Sequence, residues 1–223
     1  MKIISIVGSP HGAGGNTNKL LNLVLEGAQK QGAKTETIFL RGDSVLPCKG
    51  CNSCHRKGLC PQKDDFNLIK QKILKADALV LASPNYIFSV SAQLKAFMDR
   101  CCGIIHCMAF EGKYGASVVT SGGGDEEPIA EYMNHFLMTI GVAPVGSVWA
   151  TMGRMQGDEF PTAIRKKALN LGKNLVISWK KKKAPPEFEK PAAKFRKRMR
   201  ALMLWRKNEW PYEYEYWVKN RGL

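Results

Sequence analysis

Four cysteines within thirteen residues are the strongest chemical signal in the chain. Cys48, Cys51, Cys54 and Cys60 follow the pattern C-x2-C-x2-C-x5-C in a polar segment. Thiolates this close together can surround one cubane cluster, and two-residue spacings are typical of iron–sulfur ligation. Zinc is a second alternative, although four-cysteine zinc sites usually split into two well-separated pairs. A single redox-active cysteine is the third, and a close-packed loop without any metal is the fourth.

A glycine-rich turn near the start of the chain is the second candidate site. The apolar residues 1–7 run into GSPHGAGGNTN, and a helical pattern follows. The first N–H groups of a helix lack partners and lie at the positive end of its dipole, so this turn can bind a phosphate. It matches neither a Walker loop nor G-x-G-x-x-G, and a plain turn with an N-cap is the alternative. The candidate phosphate ligands are Ser9, His11, Asn16, Thr17 and Asn18.

Two further turn-forming segments follow predicted strands. SPNYIF, from Ser83, places polar and aromatic side chains behind a proline, and TSGGGDEE, from Thr120, has three glycines that let the backbone approach a flat ligand closely. Each segment is a weak signal alone. With the first turn they predict one crevice with a phosphate site, an aromatic wall and a backbone floor. The candidate residues are Pro84, Asn85, Tyr86 and Ile87 in the first segment, and Ser121, Gly122, Gly123 and Gly124 in the second.

These turns need a common framework, and the rest of the pattern predicts one. Short apolar segments alternate with helical patterns, which predicts βαβ units, and right-handed crossovers make their sheet parallel. Ligands bind outside the carboxyl ends of such strands. We predict an α/β fold with a doubly wound, five-stranded parallel sheet. The predicted strands are 1–7, 35–40, 78–82, 114–120 and 143–150, and the predicted helices are 16–32, 66–74, 91–102, 128–140 and 161–179.

The last fifth of the chain differs in composition. Residues 180–223 contain 14 Lys and Arg against 5 Asp and Glu, within a formal net charge of +15. The pattern breaks at the APP of 184–186, so we predict one domain over 1–183 and a basic, aromatic-rich C-terminal extension over 184–223. Residues 191–206 predict a basic amphipathic helix, which we expect to pack on this domain or on a second subunit rather than on a membrane surface. Nucleic acid is not an expected partner, because little of the excess charge lies in the main domain.

The three turns resemble those of the flavodoxin-like NADPH-dependent FMN reductases, over roughly residues 1–150. The resemblance rests on GSPH with GNT in the first turn, PNY with QLKAFMDR in the second, and SGGG in the third. It implies FMN, with its phosphate at the first turn and its isoalloxazine ring between the other two. His11 departs from the family, which usually has arginine there, because histidine is a weaker and pH-dependent cation. The four-cysteine segment, followed by Asp64 and Asp65, resembles the iron–sulfur flavoproteins and implies a [4Fe-4S] cluster near the flavin.

The expected function is that of an FMN-dependent oxidoreductase. Electrons pass from NAD(P)H or a protein donor to a quinone-like, flavin or protein acceptor, and no catalytic side chain is expected, since flavin carries the chemistry. An electron carrier without its own small-molecule substrate is the alternative. We expect flavin and a nicotinamide nucleotide as ligands, a homodimer or homotetramer, and a further partner in a redox protein. No export signal is recognisable, so we expect a cytoplasmic location.

The other cysteines and the histidines suggest no site of their own. Cys101, Cys102 and Cys107 are predicted to be small buried residues. His55 and His106 are isolated in the sequence, and no spacing around them is typical of metal ligation.

Overall fold

The computed structural model describes residues 1–155 and 159–223. Five parallel strands form the central sheet, and a sixth, short strand pairs with the end of one of them. The strands are β1 (Lys2–Val7), β2 (Lys34–Phe39), β3 (Ala78–Tyr86), β4 (Ser89–Val90), β5 (Tyr114–Ser121) and β6 (Ala143–Thr151). Their order is β2-β1-β3-β5-β6, and β4 pairs antiparallel with the end of β3. The chain therefore changes direction across the sheet between β1 and β3. This confirms the predicted doubly wound parallel sheet.

Helices cover both faces of this sheet. They are α1 (Asn16–Gln29), α2 (Ser53–Lys57), α3 (Phe66–Leu74), α4 (Ala92–Arg100), α5 (Cys102–Cys107), α6 (Glu126–Thr139), α7 (Thr162–Lys181), α8 (Pro186–Arg206) and α9 (Pro211–Arg221). Leu20 and Leu175 belong to the core on the α1 and α7 side, whereas Phe97 and Leu137 belong to the core beneath α3, α4 and α6. Residues 78–82 of β3 are fully buried, as expected for a strand covered on both faces.

Several element boundaries differ from the sequence prediction. β3 continues to Tyr86 rather than ending at residue 82, because Ser89 and Val90 pair back on its last two residues. The helix predicted over 91–102 is two helices, α4 and α5, which are separated at Cys101. α6 begins at Glu126 rather than at 128, and the short helix α2 inside the four-cysteine segment was not predicted.

The C-terminal extension is helical and packs on the same chain. The helix predicted over 191–206 forms the larger part of α8, and Met199 and Met203 pack with Trp217 of α9 in a third small core. α9 in turn contacts α2 and α5. The boundary at 184 stays a prediction. No helix in the described parts of the chain has the length and apolar character needed to cross a membrane.

Candidate functional site

Turns after β1, β3 and β5 enclose a cavity at the carboxyl edge of the sheet, with a volume of about 210 Å³. This edge includes the point where strand order reverses, which is where open α/β sheets bind their ligands. The structure thus brings residues from all three predicted turns into one place. The cavity is lined by Ser9, His11, Asn16, Thr17, Pro84, Asn85, Tyr86, Thr120, Ser121, Gly122 and Met152.

The first turn presents unpaired donors to this cavity. Gly15 precedes α1 with an extended backbone and no side-chain cap, and among the described residues the N–H groups of Asn16 and Thr17 donate to no acceptor. The hydroxyls of Thr17 and Thr120 lie 2.7 Å apart, which joins the turn to β5. Together these groups form a cradle suited to an anion.

Asn18 has a different position from the one predicted. Its side-chain amide donates to the carbonyl of Ala13 at 2.9 Å, and the residue does not line the cavity. Its amide therefore closes the turn, and the four other candidate phosphate ligands line the cavity. Its buried oxygen Oδ1 has no hydrogen-bond partner among the described residues, and its role as a phosphate ligand stays a prediction.

Arg41, just after β2, is a cation near this turn that the sequence did not reveal. Gly12 has a φ of +58°, and a Cβ placed there would lie 2.8 Å from Nη2 of Arg41. The guanidinium therefore lies directly against the turn that carries His11. It adds positive charge where the resembled family usually has arginine in the turn itself.

The second turn is a tight hairpin between β3 and β4. Ile87 and Phe88 form its tip with φ values of +47° and +59°, a region that β-branched and bulky residues rarely enter. Both side chains are mostly exposed. Ile87 therefore lies at the rim of the cavity rather than in its lining. Such strain is retained at functional sites when the surrounding structure holds it.

Asn85 links this hairpin to the third turn. Its amide nitrogen donates to the carbonyl of Gly124 at 3.0 Å. Its oxygen Oδ1 is buried and has no hydrogen-bond partner in the described structure. A buried acceptor without a partner is costly, and a ligand N–H in the cavity would satisfy it.

The third turn leaves two of its three glycines open. A Cβ at Gly122 or Gly123 would meet no atom within 4 Å, and neither N–H is paired within the described residues. Gly124 differs, because its N–H donates to Oγ of Ser121 at 2.8 Å. Of the four predicted donors, Gly122 and Gly123 have open N–H groups, and the Ser121 hydroxyl holds the turn through Gly124.

Glu126 is a buried carboxylate that anchors the third turn. It accepts hydrogen bonds from the hydroxyls of Ser121 and, at 2.6 Å, Thr151. Burial alone would raise the pKa of Glu126, but these hydrogen bonds outweigh burial and hold the pKa below its usual value. The carboxylate therefore stays ionised and positions the turn rather than exchanging protons.

The four cysteines of the predicted metal site lie in the segment between β2 and α3. Cys48 and Cys51 are exposed, whereas Cys54 and Cys60 are half-buried and line a second cavity of about 210 Å³. No three of these four thiols lie within 4.8 Å of one another. Zinc–sulfur bonds of about 2.3 Å would bring tetrahedral sulfur ligands to within about 3.8 Å of each other. A single zinc ion bound by this segment would therefore require the sulfur atoms to close to that spacing.

A cluster of side chains that sequence reasoning missed lies beside this segment. The cluster consists of His55 of α2, Cys102 and His106 of α5, and Glu213 of α9. Glu213 is fully buried and contacts both imidazoles. Cys102 is half-buried and faces His106, so the prediction of an inert buried cysteine holds for Cys101 and Cys107 but not for it. No spacing in the sequence could reveal a contact between residues more than a hundred positions apart.

Charge coupling sets the pKa values in this cluster. Hydrogen bonding from His106 and His55 lowers the pKa of Cys102 to about 6. Burial alone would lower the pKa of both imidazoles, but hydrogen bonds with Cys102, Cys54 and Glu213 raise the pKa of His55 to about 12. Hydrogen bonds with Cys102 and Glu213 raise the pKa of His106 to about 9. Burial raises the pKa of Cys101 and Cys107 instead.

Comparison with known proteins settles the family. The sequence profile of the NADPH-dependent FMN reductases matches residues 1–156. The chain belongs to this family. A curated iron–sulfur flavoprotein of Archaeoglobus fulgidus is 36% identical over 183 residues, which cover 82% of each chain. An iron–sulfur flavoprotein of Methanocaldococcus jannaschii is 39% identical over 62% of this chain and 72% of its own.

These relatives place the chain in the iron–sulfur flavoprotein branch of the FMN reductase family. Solved structures with the same fold include an NADH:FMN oxidoreductase (20% identity, TM-score 0.57, covering 84% of this chain and 92% of that one). Another is the NAD(P)H:quinone oxidoreductase of Methanothermobacter marburgensis (18% identity, TM-score 0.57, covering 79% and 97%). The expected FMN-dependent oxidoreductase, with a nicotinamide nucleotide as reductant, is therefore confirmed at the level of the family.

Proposed function

We propose that the cavity at the carboxyl edge of the sheet is the FMN site, with the first turn holding the phosphate. Ser9, Asn16 and Thr17 would hydrogen-bond its oxygens, and His11 with Arg41 would supply positive charge. Support comes from the open N–H groups at the start of α1. Anions bind at helix N-termini for this reason.

The isoalloxazine ring would lie between the second and third turns. Pro84, Asn85 and Tyr86 line that side of the cavity, and Ile87 borders it. The observation that carries the proposal is the unpartnered, buried Oδ1 of Asn85, a residue that lines the same cavity as Gly122. The N–H groups of Gly122 and Gly123 are also open. A heterocycle with both donors and acceptors along one edge would satisfy all three.

FMN, when bound, supplies the electron-transfer chemistry. The N–H groups of Gly122 and Gly123 would stabilise negative charge that develops on the ring edge, as preorganised backbone donors do in other enzymes. Glu126 would hold the glycine turn in place through Ser121. Ile87 and Phe88 would restrict access of water to the ring from the open side.

We further propose that Cys48, Cys51, Cys54 and Cys60 bind a [4Fe-4S] cluster. Their spacing supports it, as do relatives that are named iron–sulfur flavoproteins. The guanidinium of Arg100 lies beside the Cys60 sulfur, and Lys70 lines the same cavity. These cations would offset the negative charge that four thiolates bring. Cys48 and Cys51 lie at the surface, where a protein partner could reach the cluster.

Spectroscopy of the full chain, purified without oxygen, tests both proposals. We expect flavin absorbance that is lost when NADPH or NADH is added, and about four iron atoms per chain. A C48S variant is expected to keep its FMN and lose iron. A chain that takes up no FMN at micromolar concentration contradicts the flavin site, and iron-free protein contradicts the cluster.

The exposed cysteine pair favours one alternative, an electron carrier that serves other proteins. In that case reduced nicotinamides would leave the flavin oxidised, whereas a reduced protein donor would bleach it. A homodimer or homotetramer, a protein redox partner and a cytoplasmic location stay predictions. Size-exclusion chromatography with light scattering tests the first of these.

A further inference from the structure

The cluster of His55, Cys102, His106 and Glu213 joins three helices that the FMN cavity does not use. α2, α5 and α9 supply its members, and none of them lines that cavity. The cluster lies next to the four cysteines proposed to bind the iron–sulfur cluster, since His55 hydrogen-bonds Cys54, but it draws its own thiol from Cys102. Its function is therefore a separate question.

Glu213 sets the direction in which both imidazoles point. Its two oxygens lie 2.7 Å from Nδ1 of His55 and 2.9 Å from Nδ1 of His106. Nε2 of each ring is therefore the nitrogen left for another partner. A carboxylate that accepts from one ring nitrogen while the other binds a metal is the usual second-layer arrangement of metal-ligating histidines.

The candidate ligand atoms of the cluster lie close to one another. Nε2 of His106 lies 3.9 Å from Sγ of Cys102. One ring nitrogen of each histidine and this sulfur all lie within 4.8 Å of one another. One sulfur and two nitrogens around a tetrahedral zinc ion are about 3.3–3.6 Å apart, so the three ligand atoms would have to approach one another by up to about 1.5 Å to bind an ion.

We propose that Cys102, His55 and His106 bind a divalent metal ion of the zinc class. Mixed nitrogen and sulfur ligands favour zinc over magnesium or calcium, which prefer oxygen. Three protein ligands leave a fourth position for water. Glu213 is a positioning residue, because it orients the two rings without binding the metal.

Charge and packing at this cluster both suit a cation. A divalent ion held by two neutral imidazoles would balance the charges of a Cys102 thiolate and the Glu213 carboxylate, and it would displace the two ring protons that balance these charges in the metal-free cluster. The indole of Trp210 stacks on both rings, with centroid distances of 4.7 Å and 4.8 Å. This contact restricts the rotation of the rings, and preorganised ligands lose less entropy when a metal binds.

Metal analysis of the complete holoprotein tests the proposal. The protein is incubated with excess ZnCl2, desalted, and assayed for zinc and iron by mass spectrometry. We expect about one zinc ion per chain, lost in C102S and H106Q, each of which removes one ligand. C101S is the matched control, because Cys101 is adjacent but its sulfur donates to the carbonyl of Phe97 at 3.3 Å.

Two further variants distinguish this site from zinc bound elsewhere on the chain. C48S is expected to keep its zinc while losing iron, which excludes zinc bound by the four-cysteine segment. E213Q is expected to weaken zinc binding by roughly 10–100-fold, measured by competition with a chelator. Substituting Co2+ adds a spectroscopic test, because tetrahedral cobalt absorbs at wavelengths beyond the flavin bands and these bands should be lost in C102S.

Three outcomes would overturn the proposal. The first is a wild-type protein that retains no zinc after incubation, because the His55, Cys102, His106 and Glu213 cluster would then be only a set of ion pairs. The second is zinc that persists at the wild-type level in C102S and H106Q. The third is zinc lost equally in C101S. FMN affinity and thermal midpoint, measured on every variant, show whether a loss of zinc reflects unfolding, and a failure of FMN binding would not affect this result.

Discussion

At the scale of single residues, the proposed FMN site depends on donors that have no partner among the described residues. Ser9 is buried at the cavity, and its hydroxyl makes no hydrogen bond to a described residue. The Ser9 hydroxyl therefore contributes no hydrogen bond to the stability of the fold. Its removal should therefore affect the ligand more than the fold.

Replacing Ser9 with alanine should weaken FMN binding by roughly 10–100-fold. A hydrogen bond to a charged group contributes about 1.5–3 kcal/mol, and each 1.4 kcal/mol is a factor of ten in affinity. Fluorescence titration of FMN measures the change. S5A is the control, since Ser5 is a buried serine in β1 whose hydroxyl also lacks a partner but lies away from the cavity. Equal weakening in S9A and S5A, or none in S9A, would contradict the assignment.

The residues of the three turns were predictable because their function depends on local sequence. Glycine at Gly122 and Gly123, the dipole at the start of α1, and the proline at Pro84 each act within a few positions of the chain. The roles of Asn18 and Gly124 were not predictable. Each uses its polar group for a hydrogen bond within its own turn, and only the three-dimensional path of the backbone determines that choice.

At the scale of elements, the four-cysteine segment is held to α4 by a buried ion pair. Arg100 donates to the Asp64 carboxylate at 2.7 Å and to the carbonyl of Leu46 at 2.8 Å. Burial alone would raise the pKa of Asp64, but the hydrogen bonds from Arg100 and from the N–H groups of Leu46 and Phe66 outweigh it and hold the pKa below its usual value. The pair therefore fixes the segment through charge as well as packing.

The D64N substitution should destabilise the protein by roughly 3–5 kcal/mol at pH 7, because it leaves a buried guanidinium without its counter-charge. The pKa of Asp64 in the folded state lies below its unfolded value of about 3.9. The stabilisation from the ion pair is therefore complete well above about pH 3.9 and is lost as pH falls through the folded-state pKa. The gap between wild type and D64N should thus close towards pH 3. Urea unfolding at pH 7 and pH 3 measures it.

The exposed pair of Lys95 and Asp99 on the same helix provides the matched control. D99N should change stability by less than about 1 kcal/mol. A D64N variant that unfolds at the same urea concentration as D99N at pH 7 would show that the Asp64–Arg100 pair does not hold the segment.

The alternation of strands and helices was predictable because each element has its own hydrophobic pattern. The hairpin after β3 was not, because Ile87 and Phe88 adopt a backbone conformation that their residue types disfavour. The helix α2 was also missed. It is only five residues long, and contacts with α9, rather than its own sequence, hold it in place.

At the scale of the whole molecule, the C-terminal extension covers the side of the protein that carries the four-cysteine segment. The apolar stripe of α8 packs on this chain, which is one of the two positions expected for it. A Cβ at Gly58, in the four-cysteine segment, would overlap the ring of Tyr212. The aromatic residues of 210–217 thus lie against that segment and against α5 rather than at the FMN cavity. The sequence could predict that they are covered, but not which surface covers them.

Trp217 is the residue that fastens α9 in this position. It is almost fully buried, and its indole N–H donates to the carbonyl of His106 at 2.9 Å. Replacing a buried tryptophan with alanine costs about 3–5 kcal/mol where the cavity cannot collapse. Because α9 is terminal and touches only part of the molecule, we expect this loss to appear as local opening rather than global unfolding.

W217A should therefore speed amide hydrogen exchange in α2, α5 and α9 by roughly a hundredfold or more, since each 1.4 kcal/mol of local opening energy is a factor of ten. FMN affinity should stay within about twofold of wild type, because no residue of these helices lines the FMN cavity. W205A is the control, as Trp205 lies in the same extension with its side chain largely in solvent, and it should change neither quantity. Unchanged exchange in α2 would mean that α9 does not hold the four-cysteine segment. An equal loss of FMN affinity would mean that the two sides of the molecule are coupled through the sheet.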